Sequence, residues 1–118
     1  MSAERAHAEA EALLRLGHPP TALIVGGNIL LLGVLRALQG RGCAVGRDLA
    51  LVGADDLDLT QLYSPPITVM ARDLALRGEA AVRLLIETIQ QQPGRAIMLP
   101  TTLIVRESST LRQGVPVV

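Results

Sequence analysis

Two adjacent carboxylates, Asp55 and Asp56, follow the apolar run Leu49-Ala50-Leu51-Val52-Gly53-Ala54. An unbroken apolar run of that length predicts a parallel strand with both faces covered. In open α/β sheets, small molecules sit in the crevice beyond the carboxyl ends of the strands. The pair therefore stands where such a fold places its chemistry. Paired carboxylates there suit a ligand or a hard cation such as magnesium. The competing reading is structural, because Asp also starts turns and caps helices. A second candidate is Gly26-Gly27-Asn28, between an apolar strand and a helix. Glycines at that junction let backbone N–H groups approach a ligand, with the helix dipole behind them. The stretch is not G-x-G-x-x-G, and a tight strand-to-helix turn explains it equally well.

Other reactive residue types form no constellation. His7 and His18 share no metal-ligand spacing with Cys43, the single cysteine, and read as surface residues. Cys43 has no internal partner and reads as structural; a cytoplasmic setting is expected. Ser64 and Ser108 lack a G-x-S-x-G setting. All eleven basic residues are Arg, which excludes a P-loop or Schiff-base lysine. A phospho-acceptor domain using Asp55-Asp56 with magnesium also needs a lysine across its site. No enzyme activity and no cofactor is expected. Net charge is zero, with no basic stripe for nucleic acid. Tyr63 is the only aromatic residue, so aromatic stacking on sugars or bases is unavailable. No apolar signal segment or membrane span is present.

The 118 residues suffice for one small domain or part of a larger one. Ala3 to Leu16 has helical periodicity, stopped by Gly17 and Pro19-Pro20. Thr21 to Val25 reads as a strand, with Asn28 as N-cap of a helix over Ile29 to Gln39. That helix carries a main stripe, Leu31, Leu35 and Leu38, and a second face with Leu32, Arg36 and Gln39. The extra apolar face suggests a second burying surface, with Leu32 as a candidate subunit contact. The unit from Thr21 to Gly53 thus reads as strand, helix, parallel strand. Leu57 to Tyr63 reads as a turn or short helix, and Ile67 to Met70 as a strand. Asp73 caps a helix from Leu74 to about Gln90, with Leu74, Gly78, Ala81, Val82, Leu85 and Ile89 on its apolar side. Glu79, Arg83 and Glu87 form a candidate i,i+4 ladder on its solvent side. Ala96 to Leu99 and Thr101 to Arg106 read as two strands separated by Pro100. The ordered pattern closes at Arg106-Glu107-Ser108, and the chain from Ser109 on reads as loose. The division expected is 1–110 and a tail, 111–118.

The order and spacing of these segments resemble the LacI/GalR family of bacterial transcription regulators. The resemblance rests on Pro20-Thr21-Ala22-Leu23-Ile24-Val25, Gly33 with Arg36-Ala37-Leu38, and Gly42. It continues through Asp48-Leu49-Ala50-Leu51-Val52-Gly53-Ala54-Asp55-Asp56, Pro65-Pro66-Ile67-Thr68-Val69, Gly78 and Ala81, Leu99-Pro100-Thr101 and Val105-Arg106-Glu107-Ser108. It covers about Leu14 to Thr110 and corresponds to the last part of the effector-sensing domain. The implied fold class is α/β: a Rossmann-like parallel sheet with flanking helices, forming an incomplete lobe of the periplasmic-binding-protein-like type I fold. Two such lobes close on a small-molecule effector, a sugar, sugar derivative or nucleobase. A separate N-terminal helix-turn-helix reads operator DNA, and the sensor lobes form a homodimer. By this resemblance the chain lacks the helix-turn-helix, the first lobe and the earlier strands of the second. It reads as a truncated gene product, a fragment or a proteolytic remnant.

Carried over residue by residue, Asp55 falls on the family's ligand-binding aspartate. The family's Asn-Asp after the preceding strand is here Gly27-Asn28, so the usual side-chain contact is gone and Gly27 offers only backbone. A glutamine that reaches the cleft is here Arg72, which favours an anionic ligand or an ion pair with Asp55. Leu32, Arg36 and Tyr63 fall on dimer contacts. The resemblance also implies that part of the helix after Asp73 packs in the other lobe, so this chain alone should self-associate, by exchanging that helix, or expose an apolar patch. Two alternatives to a sensor fragment stand beside it: a remnant that only dimerises, and a different α/β domain using Asp55 and Asp56 with a metal.

Overall fold

The computed structural model describes residues 1–110; the tail expected over 111–118 lies outside them. Helix α1 (Ala3–Leu14) starts at Ser2, whose hydroxyl accepts from the Arg5 N–H at 3.2 Å. Strand β1 (Ala22–Val25) leads into helix α2 (Asn28–Gly40), and β2 (Ala50–Gly53) follows. Gly42 ends α2 at φ +64°, and the Cys43 N–H reaches back to the Leu38 carbonyl. A left-handed residue there is what a helix C-terminus commonly requires. Helix α3 (Asp58–Leu62), β3 (Thr68–Arg72), α4 (Leu74–Ile89), β4 (Thr101–Ile104) and a 3₁₀ turn (Glu107–Ser109) complete the order.

The sheet runs β1-β2-β3-β4. The β1–β2 and β2–β3 pairs are parallel, and β4 runs antiparallel beside β3. One face of the sheet carries the core: Leu51, Val69 and Val25, with Ile67 from the approach to β3, pack with Leu31, Leu35 and Leu38 of α2. Helix α1 lies on α2 at close range. A β-carbon on Gly33 would sit 2.1 Å from the Ala3 carbonyl oxygen and 2.9 Å from the Ala6 β-carbon. Only glycine lets the two backbones approach so closely. The second burying surface of α2 is therefore α1, and Leu32 is left on the solvent side.

The other face of the sheet departs from the expectation of two covered faces. Residues 106–109 close over Thr68, but Ile24 is 73% and Met70 39% exposed. Helix α4 has no buried residue. It stands away from the sheet, and with it the structure is 56 Å in its longest dimension with a radius of gyration of 17.9 Å. A compact domain of this length would have a radius of gyration of roughly 13–14 Å. An apolar patch is thus present, as the pattern of α4 implies.

Four local expectations are corrected. Asn28 is the first residue of α2 rather than its cap; Gly27 occupies that place, with no side-chain hydrogen bond. Residues 96–99 form no strand, because no strand lies beside them to complete a ladder among the described residues. Glu79-Arg83-Glu87 is not an ion-pair ladder: Arg95, brought back over α4 by the turn after Ile89, takes Glu87 at 2.9 Å. The residues Ser109 and Thr110, expected to be loose, are tied by hydrogen bonds to Thr68 and Glu107.

Candidate functional site

Strand register gathers the candidate residues at one end of the sheet. Val25 pairs with Gly53, and Gly53 with Val69. Gly26-Gly27-Asn28 and Ala54-Asp55-Asp56 therefore follow the carboxyl ends of β1 and β2, and Arg72 is the last residue of the neighbouring parallel strand β3. This is the crevice where open α/β sheets bind ligands.

Asp55 and Arg72 form a two-pronged pair. Arg72 Nε donates to Asp55 Oδ1 and Nη2 to Oδ2, both at 2.8 Å. Such a fork fixes geometry as well as charge. The Arg72 hydrogen bonds hold the Asp55 carboxyl below its ordinary pKa of 3.8, and Arg77 adds to the effect. The ion pair expected from the sequence is present. Arg72 also lines, with Asp73, Leu76, Arg77, Leu99 and Thr101, a cavity of 170 Å³.

Asp56 has a separate role. Its Oδ1 accepts from Arg106 Nη1 at 2.8 Å and from the Thr60 hydroxyl at 3.2 Å. The Arg106 bonds hold this carboxyl low as well. Thr60 Oγ1 in turn accepts from the Leu57 N–H, so Asp56 anchors the start of α3. The role is structural, but Asp56 is not the cap of α3: Leu57 holds the N-cap position. Each of the two adjacent carboxylates is thus engaged by its own arginine, from β3 and from the segment after β4. No cluster of three His, Cys, Asp or Glu suited to a metal exists among the described residues.

Behind the site lies a buried knot of hydroxyls that sequence reasoning missed. Ser108, fully buried, donates to the Leu51 carbonyl at 2.5 Å and accepts from the Thr68 N–H at 2.8 Å. Thr68 Oγ1 accepts from the Arg106 N–H at 2.8 Å. These bonds tie the segment carrying Arg106 to β2 and β3. The adjacent small hydroxyls Ser108-Ser109-Thr110 after a strand were the available signal.

Gly27 has φ −165° and ψ 151°, extended backbone open to any residue, and an added β-carbon would meet only ordinary contacts with Leu30. Gly26 has open space around it. Neither glycine is demanded by the turn. Asn28 is exposed at the start of α2, whose first N–H groups have no side-chain cap. On the outer face of α2, Leu32 and Arg36 are exposed one turn apart, next to Ile29 at 63%. Tyr63, at the end of α3, is half-buried against the core.

A family model described as the periplasmic binding protein-like domain matches residues 1–109. The chain is 33% identical over 99 residues to the lactose operon repressor of Escherichia coli K12, covering 84% of this chain and 28% of that protein. It is 32% identical over 107 residues to the lactose operon repressor of Rhizobium radiobacter, covering 90% of this chain and 95% of that one. This chain belongs to the periplasmic binding protein-like family, on its LacI branch. The crystal structure of the lac repressor dimer bound to operator and the anti-inducer ONPF superposes with a TM-score of 0.79. The identity is 32%, over 92% of this chain and 33% of that one. The LacI-branch chain therefore spans about a third or less of the Escherichia coli repressor and of the solved one. These relatives are transcriptional repressors rather than enzymes, and no helix among the described residues is long and apolar enough to cross a membrane.

Proposed function

We propose that this chain is the effector-sensing part of a bacterial transcription regulator, working in the cytoplasm without a cofactor. Residues 1–110 form the C-terminal part of a sensor domain, and operator DNA is read by a helix-turn-helix outside these 118 residues. Asp55 and Arg72 receive the effector, with Gly27 offering backbone and Asn28 the exposed start of α2. Leu32, Arg36 and Tyr63 belong to the homodimer contact. The effector is a sugar derivative or nucleobase-type molecule. The observation that carries this reading is the Asp55–Arg72 fork at the carboxyl end of the sheet. The fork uses Nε and Nη2 of Arg72, and the Asp55 carboxylate offsets its charge; Nη1 stays outside the fork, and Arg77 lines the adjoining cavity together with Asp73. A guanidinium edge pairs readily with a carboxylate or phosphate, which supports an effector bearing one beside its hydroxyls, a sugar acid or sugar phosphate.

Effector binding then shifts a conformational equilibrium in the sensor, and the dimer transmits the shift to the spacing of the DNA-reading heads. Thermal unfolding with neutral sugars, sugar acids, sugar phosphates and nucleosides tests the binding part. A ligand at a hundred times its dissociation constant stabilises the native state by about 2.7 kcal/mol. The expected result is stabilisation by an anionic sugar derivative, lost in Asp55→Asn and in Arg72→Gln. A response to neutral sugars alone overturns the anionic assignment. A response unchanged in both variants overturns the site.

A further inference from the structure

The turn that carries Asp55 has little backbone support of its own. Residues 54–57 lie in neither helix nor strand. Among the described residues, Ala54, Asp55 and Asp56 make no backbone–backbone hydrogen bond outside the strand ladder. Such a turn is fixed only as well as its side chains are held.

Two arginines hold those side chains, and they differ. Arg72 ends β3, and its side chain is 41% exposed in the fork with Asp55. The Arg106 side chain is 18% exposed. Its Nη1 alone donates to Asp56 Oδ1 at 2.8 Å and to the Ile67 carbonyl at 3.1 Å. The Arg106 backbone is anchored as well. Ile104 pairs with Val69, so the chain after β4 runs on beside Ile67 and Thr68, where the Arg106 N–H meets Thr68 Oγ1. The groups around it are enclosed: Ile67 and Thr60 are fully buried, and Thr68 is nearly so. Thr60 braces Asp56 Oδ1 from the other side at 3.2 Å.

An anionic effector of the class proposed above competes with Asp55 for Arg72, because a solvent-open guanidinium can turn from one anion to another. If Arg72 were the only tether, capture of Arg72 by the effector would release Asp55. Arg106 has no such freedom, with its Nη1 shared between two acceptors beneath the turn. Asp55 and Asp56 are joined by one planar peptide unit, so holding Asp56 restricts Asp55 too.

We infer that Arg106 is a positioning residue for effector recognition: through Asp56 it holds Asp55 in the crevice independently of Arg72. The inference rests on the reading of Asp55 and Arg72 as the effector site, and it divides the duties of the two arginines. Arg72 serves the ligand and Arg106 serves the turn. An acceptor already in place loses less conformational entropy when the ligand arrives.

Backbone ¹⁵N relaxation on the full 118-residue chain, with no ligand added, tests this. The Asp55 amide should have an order parameter of about 0.85 in the wild type and in Arg72→Gln. It should fall below about 0.6 in Arg106→Gln, whose amide ends two bonds short of the Nη1 position. Asp56→Ala removes the same link at a carboxylate that is 25% exposed and should loosen the same turn, which keeps the test available if Arg106→Gln does not fold. The loosening should be confined to residues 54–57. Leu38→Ala, a cavity in the buried face of α2, weakens the whole fold and should leave the Asp55 amide rigid. An Asp55 amide that stays rigid without the Arg106–Asp56 link, or is freed as much by Arg72→Gln or by Leu38→Ala, overturns the inference. Ligand-dependent stabilisation judges the effector reading separately, so the two failures are distinguishable.

Discussion

Replacing Ser108 with Ala removes a hydroxyl that bridges two buried backbone groups. The Leu51 carbonyl loses its donor at 2.5 Å, and the Thr68 N–H loses its acceptor at 2.8 Å. Ser108 is fully buried, so water cannot replace the lost partner without opening the fold. Each hydrogen bond contributes about 1 kcal/mol net, and a buried polar group left without a partner costs about 1–3 kcal/mol. Two such groups span about 2–6 kcal/mol, and the net value of about 1 kcal/mol per hydrogen bond sets the expectation toward the lower end, about 2–4 kcal/mol. That is a large fraction of the roughly 5–15 kcal/mol by which domains are stable. At about 4 °C per kcal/mol for a chain of this size, the midpoint should fall by roughly 10 °C. The assay is urea unfolding followed by circular dichroism, with Thr110→Ala as the control. Thr110 also donates to a backbone carbonyl, that of Glu107, but it is exposed, and its loss should cost about 0.5 kcal/mol or less. A Ser108→Ala loss below about 1 kcal/mol, with the urea dependence unchanged, would refute the bridging role.

Stability should also fall in acid, with a sign set by two carboxylates. Arginine partners hold Asp55 and Asp56 below the ordinary value of 3.8, so their contribution is full above that pH and lost as pH drops through the folded-state values. Urea midpoints measured downward from about pH 6 should decline below roughly pH 4, and Asp55→Asn should flatten part of that decline; an identical profile in the variant would exclude Asp55 as a source. Gly33→Val should push α1 off α2, since its β-carbon would overlap the Ala3 carbonyl, at a cost of about 1–3 kcal/mol or by releasing α1; faster amide exchange confined to α1 would register the release. Arg72→Gln should change stability by no more than about 1 kcal/mol, because the pair is partly exposed. Its effect should appear in ligand preference, and a larger loss of stability than of ligand response would make Arg72 structural.

The arrangement of the site follows from local signals that survive without tertiary context. The apolar runs ending at Val25 and Gly53, each followed by small or acidic residues, placed both strand ends and the crevice between them. Asp73 capped α4 as its position before Leu74 indicates, its side chain accepting from the Leu76 N–H. The periodicity of α4 was legible too, because the spacing of apolar residues along a helix is a property of the chain.

What no local pattern carries is which groups meet across the fold. Asp55 and Asp56 are chemically alike and adjacent, yet they take different arginines, 17 and 50 residues away. Strand register decides that assignment, since it sets which side chains emerge at the same sheet end. The bridging hydroxyl of Ser108 is likewise visible only once residue 108 lies beside residues 51 and 68. Burial follows the same logic. An apolar run states that a face can be covered, but coverage depends on a partner surface. That is why Leu31 and Leu51 are enclosed while Ile24, Leu85 and Ile89, no less apolar, remain open. Apart from the strand expected over residues 96–99, the sequence alone determined the elements, their order and the end of the sheet that carries the chemistry. The tertiary structure alone decided the pairing of charges and the faces left bare, because both depend on distances between residues far apart in the chain.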